Sequence, residues 1–346
     1  MNYNQINEID EILTSRTLFG HDEIFSIAEK MSDALDNEDA SYRLTAQNSK
    51  PGSLLDFHNI DIPVVVIPDL HARPYFLNNI LNYILPQDFV FGMKEISVFE
   101  ALQKNLVNLV FLGDALHTER TTKDRWFKIE EEFDEGVYDG ESMKAEMNEG
   151  LSLLMGLYYL KISFPKNFHF LKGNHENILN INSDIDYSFR KYADEGQMVK
   201  NFMQTYYGDD ILYLISLVEN NLPFVYFGKY CVISHAEPKF AFTKNQLINA
   251  RFEKSVARYL IWTDNGEAKN NSAKETIENL FGDEEETSLF KENCIYLAGH
   301  RCIRGKYNTL QNGKFIQIHN PLNQNIALVY NNRKFNPETD IKNVLE

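Results

Sequence analysis

The chain has 346 residues, of which 43% are hydrophobic and 24% charged, a mix that is typical of a globular protein and excludes a disordered chain. This length suits one large domain or two ordinary ones. The net charge of -16 at pH 7 disfavours a broad surface for nucleic acid or anionic membrane, because an acidic protein and those partners repel each other.

The N-terminal segment 1–60 is polar and is expected to form an extension packed on the main domain. It begins without the basic start and apolar run of a secretory signal, and no stretch of the chain approaches about 18 apolar residues. Three cysteines, Cys231, Cys294 and Cys302, are too few and too irregularly spaced for a disulfide framework or a four-cysteine zinc site. We therefore expect a cytoplasmic protein that binds neither nucleic acid nor a membrane.

Short apolar runs rich in β-branched and aromatic residues recur from residue 64 onwards and predict buried strands. The runs cover residues 64–67, 106–112, 168–171, 224–233, 295–298, 315–318 and 326–330. Helical spacing of apolar residues over 75–85 and around 143–164 separates the first three strands. This alternation of strand and helix, followed by a half that is richer in strand, predicts an α/β fold.

A single domain over 61–335, followed by a C-terminal tail at 336–346, accounts for this pattern. Two polar stretches interrupt it. The first, around 121–150, is dense in acidic residues and contains Gly136 and Gly140, which predicts a solvated surface insertion. The second, 265–286, is similarly polar and is expected to be a loop.

Polar side chains that bind metals follow five of the predicted strands, at the point where each strand ends. They are Asp69 and His71 after the first strand, Asp114 after the second, Asn174 after the third, and His235 and His300 after two later strands. Because α/β sheets bind ligands beyond the carboxyl ends of their strands, we expect these side chains to surround one point. Carboxylates, a carboxamide and imidazoles without a nearby thiolate pair suit manganese, iron or zinc, and not an iron–sulfur cluster. Each element alone is a weak signal, whereas the ordered set predicts a metal site.

Five ordered blocks carry a resemblance to a known family. They are Asp69-Leu70-His71, Gly113-Asp114, Gly173-Asn174-His175-Glu176, a lone His235, and Gly299-His300. Together they resemble the signature of the calcineurin-like metallophosphoesterase superfamily over about residues 64–330. The flanking Leu222-Pro223 and the segment Leu260-Ile261-Trp262-Thr263-Asp264 are most similar to the phosphoprotein (Ser/Thr) phosphatase branch. The resemblance implies two packed mixed β-sheets flanked by helices, a four-layer α/β/β/α sandwich.

The resemblance also implies two divalent metal ions, of manganese, iron or zinc. One would be held by Asp69, His71 and Asp114, and the other by Asp114, Asn174, His235 and His300, with Asp114 as the bridge. Some relatives have Gly-His-x-His in the last block, which gives the first metal an extra ligand. This chain has Cys302 at that place, which favours the phosphoprotein phosphatase arrangement.

The activity that follows from the resemblance is hydrolysis of phosphomonoesters by in-line attack of a hydroxide that bridges the two ions. Phosphoserine and phosphothreonine in proteins are the expectation for the branch. His175 is the candidate general acid for the leaving group. Glu119 and Arg120 would orient it and grip phosphate if two residues are inserted relative to the family, and His117 is a rival partner.

The family's later phosphate-binding arginine has no evident counterpart between residues 265 and 282. Phosphate contacts are therefore expected from four arginines near the blocks: Arg73, Arg120, Arg301 and Arg304.

Two alternatives stay open at this point. The altered arginine set and the long insertion also fit a small-molecule phosphatase, including a nucleotide or dinucleoside polyphosphate hydrolase. A catalytically inactive fold that binds phosphorylated partners is the third hypothesis, although degenerate members usually lose metal ligands and all six are present here.

Overall fold

The structure, a computed structural model, describes residues 3–119, 122–181, 185, 187–282 and 288–346. Its strands are β1 (Arg43–Thr45), β2 (Pro51–Asp56), β3 (Val64–Ile67), β4 (Asn108–Phe111), β5 (Phe168–Phe170), β6 (Val225–Phe227), β7 (Cys231–Ser234), β8 (Ile295–Ala298), β9 (Asn308–Leu310), β10 (Phe315–Gln317), β11 (Asn325–Val329) and β12 (Ile341–Asn343). Its α-helices are α1 (Tyr3–Leu13), α2 (His21–Asp36), α3 (Pro74–Asn82), α4 (Val98–Gln103), α5 (Lys123–Asp134), α6 (Glu141–Ser163), α7 (Glu195–Tyr206), α8 (Asp209–Asn221), α9 (Lys244–Ile248), α10 (Lys254–Ile261), α11 (Ser272–Phe281), α12 (Ser288–Asn293) and α13 (Pro337–Asp340).

The strands form two mixed sheets, as the resemblance predicted. The five-stranded sheet has the order β12-β11-β3-β4-β5, in which β3, β4 and β5 are parallel neighbours. The seven-stranded sheet has the order β1-β2-β6-β7-β8-β10-β9, in which β7, β8 and β10 are parallel neighbours. Each sheet therefore brings the carboxyl ends of three adjacent strands to one edge.

Both faces of the central strands are buried, which explains why their sequences are continuously apolar. In β3, Val64 and Val66 face the space between the sheets, where they pack in one core with Ile233 and Ile316 of the other sheet. The alternate β3 residues, Val65 and Ile67, belong to a second core beneath the helices. A third core, under α10 and α11, covers the outer face of the seven-stranded sheet. The result is the predicted four-layer sandwich of helices, sheet, sheet and helices.

The chain outside 61–335 contributes to these layers. The helix α2 buries Ile24, Ala28, Met31 and Leu35, which recur every three or four residues and so form one apolar face toward the helical core. The strand β2 pairs with β6 in the seven-stranded sheet, and β12 pairs with β11 at the edge of the other sheet. Within the described ranges, no helix is long and apolar enough to cross a membrane.

Three expectations about local structure need correction. The acidic stretch around 121–150, expected to be a solvated surface insertion, is mostly helical where the structure describes it, because α5 and the start of α6 occupy it, and it buries Trp126 and Ile129. The expected loop at 265–286 contains the helix α11, whose Ile277 and Leu280 lie in the core. In both cases charged residues dominate the composition and hide a narrow apolar face with helical spacing. The run 224–233 is two antiparallel strands, β6 and β7, joined by a turn at Gly228.

Candidate metal centre

The two sheets place the predicted ligands at a single point. Asp69 and His71 follow β3, Asp114 follows β4 and Asn174 follows β5, while His235 and His300 follow β7 and β8 of the other sheet. All six side chains are buried. Asp69 and His300 are 231 residues apart in the chain, and the parallel strands of the two sheets bring them into contact.

Glycines before three of the blocks allow the loops to approach closely. A Cβ atom at Gly299 would lie 1.9 Å from Asp69 Oδ1, and one at Gly173 would lie 2.3 Å from Asp114 Oδ1. His71, Asp114 and His300 have positive φ angles of 44°, 63° and 63°, a conformation that non-glycine residues adopt rarely and that clusters at functional sites. The motifs thus reflect steric demands of the turns as well as ligand chemistry.

The shape of two of these turns depends on Glu176. Its carboxylate accepts hydrogen bonds from the backbone N–H groups of Asp114 (2.9 Å), Ala115 (2.9 Å) and Gly173 (2.7 Å). One buried side chain therefore ties the loop after β4 to the loop after β5.

The group around His235 is a convergence of hydrogen-bond acceptors. His235 Nδ1 lies 3.1 Å from the Leu112 carbonyl oxygen, and since a carbonyl can only accept, Nδ1 carries the ring proton. The lone pair on Nε2 then faces Asn174 Oδ1 at 2.8 Å, Asp114 Oδ2 at 3.4 Å and His300 Nδ1 at 3.2 Å. A cation bound among these oxygen and nitrogen atoms would satisfy all of them at once.

A second group of acceptors lies on the other side of Asp114. Asp69 Oδ1 and both ring nitrogens of His71 are buried and have no hydrogen-bond partner within the described part of the chain. His71 Nε2 lies 3.7 Å from Asp114 Oδ2, the same carboxylate oxygen that faces His235. The fully buried imidazole of His319 completes this group, with Nδ1 3.9 Å from Asp69 Oδ2. The residues of both groups therefore fit bound cations, with Asp114 shared between them.

The ionisation of these side chains favours the same interpretation. Burial lowers the pKa of His71 to about 4 and also lowers the pKa values of His235 and His300, so the three imidazoles are neutral and free to bind a metal near pH 7. Burial, together with the nearby Glu176 and Asp69 carboxylates, raises the pKa of Asp114 well above its usual range. A cation beside Asp114 would relieve this repulsion.

His175 lies beside the two groups and has a histidine as its partner. Its Nδ1 is 3.1 Å from His117 Nδ1 and 3.3 Å from the Leu116 carbonyl oxygen, while its Nε2 lies 3.6 Å from Asp114 Oδ2. The Phe189 ring packs against the imidazole with a centroid separation of 3.8 Å. The rival partner considered above, His117, is therefore within hydrogen-bond distance of His175.

The expectation that Glu119 orients His175 is wrong. No hydrogen bond or ion pair joins the two in the residues that the structure describes. Glu119 instead accepts from Lys191 Nζ at 2.6 Å and from His319 Nε2 at 3.3 Å, and it lies 3.5 Å from His71 Nε2. The extended loop after His117, which has a φ of 67°, carries this carboxylate past His175 to the other side of the site.

A cleft of about 240 Å³ opens onto the metal-binding groups. Its rim carries three cationic side chains, Arg190, Lys191 and Arg301, and the ring of Trp262. Arg301 is about half exposed and pairs with Asp264. The cleft thus offers positive charge at its rim and carboxylates with imidazoles at its floor, a distribution that suits a phosphoryl group.

The other predicted phosphate-binding arginines are placed differently. Arg73 is buried and donates to backbone carbonyl groups, those of Asp69, Leu70 and Pro321, so it braces the turn before α3 and the expectation that it faces substrate is wrong. Arg304 is exposed and lies outside the set of described residues that line the cleft. Arg120 lies outside the described residues.

Two residues near the site were not anticipated from the sequence. His319 follows the predicted strand at 315–318 just as His235 and His300 follow theirs, so the same strand-end rule would have found it. Lys191 reaches the cleft from a segment without a recognisable motif, and only the tertiary structure reveals its position.

A known family and several solved structures are similar to this chain. A family model described as calcineurin-like phosphoesterase matches residues 62–319. No curated protein matches the chain significantly in sequence. Among solved structures, a protein serine/threonine phosphatase from Saccharomyces cerevisiae is similar with a TM-score of 0.60 and 13% identity, covering 97% of this chain and 94% of that one. A cold-active protein-tyrosine phosphatase from a psychrophilic Shewanella covers 79% of this chain and 76% of its own, with a TM-score of 0.37 and 15% identity.

Proposed function

This chain belongs to the calcineurin-like phosphoesterase family and is a metal-dependent phosphatase, and we propose that it hydrolyses phosphomonoesters with a pair of divalent ions. The observation that carries the proposal is the convergence of buried acceptor atoms from both sheets on the two sides of Asp114 Oδ2. We assign the first ion to Asp69, His71 and Asp114, and the second to the ligands Asp114, Asn174, His235 and His300. Manganese, iron and zinc suit this mixture of oxygen and imidazole ligands.

The metal pair, when bound, would lower the pKa of a water molecule and offset the charge of the phosphoryl oxygens. The protein itself first fixes the positions of the metal ligands. Because the ligands extend from strand ends in two packed sheets, their separations are held by the cores beneath them. A phosphoryl group at the floor of the cleft is thereby presented in one orientation.

We assign to His175 the proton that the leaving oxygen requires. Burial and the neighbouring imidazoles of His71 and His117 lower the pKa of His175 well below its usual range, so the negative charge of the bound phosphate would have to favour its protonated form. Its Nδ1 is occupied by His117 and the Leu116 carbonyl group, so Nε2 is the atom directed toward the reaction site. The Phe189 ring against its face limits rotation of the imidazole. His117 therefore acts as a positioning residue, in place of the carboxylate that the resemblance implied.

Arg301 and Lys191 are the side chains that we expect to bind the substrate's phosphate. Both line the cleft, and each is already paired with a carboxylate, Arg301 with Asp264 and Lys191 with Glu119. A phosphate dianion would compete with these carboxylates, and Arg301 would offer it a planar pair of donors. Phosphoserine and phosphothreonine peptides are the first substrates to test, because a serine/threonine phosphatase shares the fold over nearly the whole chain.

The test is hydrolysis of p-nitrophenyl phosphate by the purified chain with added Mn²⁺, alongside elemental analysis of its metal content. We expect two ions per chain, with activity lost in Asp114→Asn through failure to hold metal and in His175→Ala without loss of metal. A phosphothreonine peptide and diadenosine tetraphosphate are then compared as substrates. Protein that binds no metal and hydrolyses none of these compounds would refute the proposal, and preference for the nucleotide would refute the assignment to phosphopeptides.

A further inference from the structure

We propose that His319 is a fourth protein ligand of the first metal ion and that Glu119 holds it in the ligating orientation. The proposal rests on the proposed function, since it adds a ligand to the metal pair assigned there. It gives the first ion two imidazoles, from His71 and His319, beside the two carboxylates of Asp69 and Asp114.

The position of His319 follows from the sheet. It comes two residues after β10, the parallel neighbour of β8, and β8 leads to His300. The His319 side chain is completely buried, and its ring centroid lies 5.3 Å from that of His71. The end of β10 therefore places an imidazole beside the residues that follow the five other strands of the site.

The hydrogen bond between His319 and Glu119 shows that the ring nitrogen Nε2 of His319 carries a proton. His319 Nε2 lies 3.3 Å from Glu119 Oε2, and because a carboxylate accepts, Nε2 is the donor. The other carboxylate oxygen, Oε1, accepts from Lys191 at 2.6 Å, which keeps Glu119 charged and fixed in place. Nδ1 has no hydrogen-bond partner within the described ranges and is the ring nitrogen that lies near Asp69. Burial opposes a charge on His319, but the Asp69 and Glu119 carboxylates outweigh it and raise its pKa to about 10, so a cation that binds Nδ1 would displace the proton there. A carboxylate that holds one ring nitrogen while the other binds metal is a recurrent feature of metalloprotein histidines.

The distance from Nδ1 to Asp69 fits shared coordination and does not fit a hydrogen bond. The separation from Asp69 Oδ2 is 3.9 Å, beyond hydrogen-bond range. Two atoms that each lie about 2.1 Å from one ion must be within about 4.2 Å of each other. The separation of 3.9 Å between His319 Nδ1 and Asp69 Oδ2 meets this condition, and one ligand atom from each of Asp69, His71 and His319 lies within 4.8 Å of the others.

The thiol of Cys302 is the competing candidate near this position. Its Sγ lies 3.7 Å from Glu119 Oε2, and the residue is exposed. Cys302 groups with Glu119 and His319, whereas the group that contains Asp69 and His71 includes His319 and not the thiol among the described residues. Cys302 therefore provides a matched control, because it contacts the same carboxylate without facing Asp69.

The experiment measures metal binding directly. Full-length protein is freed of metal with a chelator and titrated with Mn²⁺ by calorimetry, and with Co²⁺ by visible absorption, for wild type, His319→Gln, Glu119→Gln and Cys302→Ser. We expect His319→Gln to keep one site at wild-type affinity and to bind the other ion at least about 100-fold more weakly, with a changed Co²⁺ spectrum. Glu119→Gln should weaken the same site by about 10–100-fold, and it serves as the test if His319→Gln fails to fold. Cys302→Ser should bind both ions as wild type does.

Three outcomes would overturn the inference. Wild-type affinity for both ions in His319→Gln, with KM alone changed, would make His319 a substrate contact. Loss of one ion in Cys302→Ser would place that ion among Glu119, Cys302 and His319. Wild-type affinity in Glu119→Gln would remove the positioning role of the carboxylate. Wild-type protein that binds no ion refutes the proposed function itself, whereas two sites that are insensitive to His319 refute this inference alone.

Discussion

Replacing Gly299 by alanine tests whether the close approach of the two sheets at the metal centre controls activity. The added Cβ would lie 1.9 Å from Asp69 Oδ1, whereas Cβ atoms keep at least 3.0 Å from their neighbours. Asp69 or the loop must therefore move by about 1.1 Å. Asp69 has little freedom to do so, because it is fully buried and its Oδ2 accepts the His300 N–H at 2.8 Å.

A shift of this size has a predictable effect on rate. Misplacing a ligand by about 1 Å costs roughly 100-fold, which corresponds to about 2.7 kcal/mol of transition-state stabilisation. Crowding of the core adds a loss of about 1–3 kcal/mol in the free energy of unfolding. We therefore expect kcat/KM for p-nitrophenyl phosphate in Gly299→Ala to fall about 100-fold or more, with weaker metal binding at the site of Asp69.

The matched control is Gly20→Ala. Gly20 has a φ of -69° and no neighbour within 4 Å of an added Cβ, so that variant should keep wild-type metal content and activity. Kinetics, elemental analysis and thermal unfolding are measured for both variants. Wild-type kcat/KM and two tightly bound ions in Gly299→Ala would show that the loop relaxes without moving Asp69, and the steric reasoning would be refuted.

Three further predictions concern the acid, the phosphate and the buried charges. His117→Ala should lower kcat more for phenyl phosphate than for p-nitrophenyl phosphate, because the poorer leaving group depends more on the proton from His175; equal losses for the two substrates would contradict its positioning role. Arg301→Ala should raise KM about tenfold or more, whereas Arg304→Ala should match wild type, and equal KM values for the two variants would exclude Arg301 as the phosphate ligand. Burial disfavours the charged form of Glu38, but Lys161, His169 and Arg43 outweigh this effect and hold the pKa of Glu38 far below 4.5. The charged carboxylate therefore stabilises the fold fully above pH 4.5, and this stabilisation is lost progressively as the pH falls below 4.5. Glu38→Gln should therefore lower the free energy of unfolding at pH 7 by about 3–5 kcal/mol, as measured by urea unfolding. In the variant, that free energy should also fall less steeply between about pH 5 and 3 than in the wild type. An equally steep fall in both proteins would show that Glu38 does not cause the acid sensitivity.

The strand-end rule explains why much of the site was readable without a structure. Continuous apolar runs identified β3, β4, β5, β7 and β8, and short polar motifs directly after them carry the predicted ligands. Both signals are local, since burial on two faces demands an apolar run and a tight loop demands glycine. The four-layer architecture came from the resemblance and not from the runs themselves.

Other features depend on which distant segments pack together. The helices α5 and α11 lie in polar stretches, and only their contacts with the core distinguish them from loops. The edge strands β1, β9 and β12 are too short to stand out from the sequence around them. Their pairing is decided by the neighbouring strand.

The sequence by itself showed the family resemblance, and the resemblance supplied the six predicted metal ligands and the candidate acid His175. Those residues could be located because they directly follow apolar strands that are recognisable from the local sequence. The tertiary structure decided which side chains meet around them. In the folded chain, His117 and not Glu119 contacts His175, and Arg73 donates to a backbone carbonyl group. Lys191 and His319 both donate to Glu119. These outcomes depend on loop paths of a few ångströms between elements far apart in the chain, and neither residue type nor spacing specifies such paths.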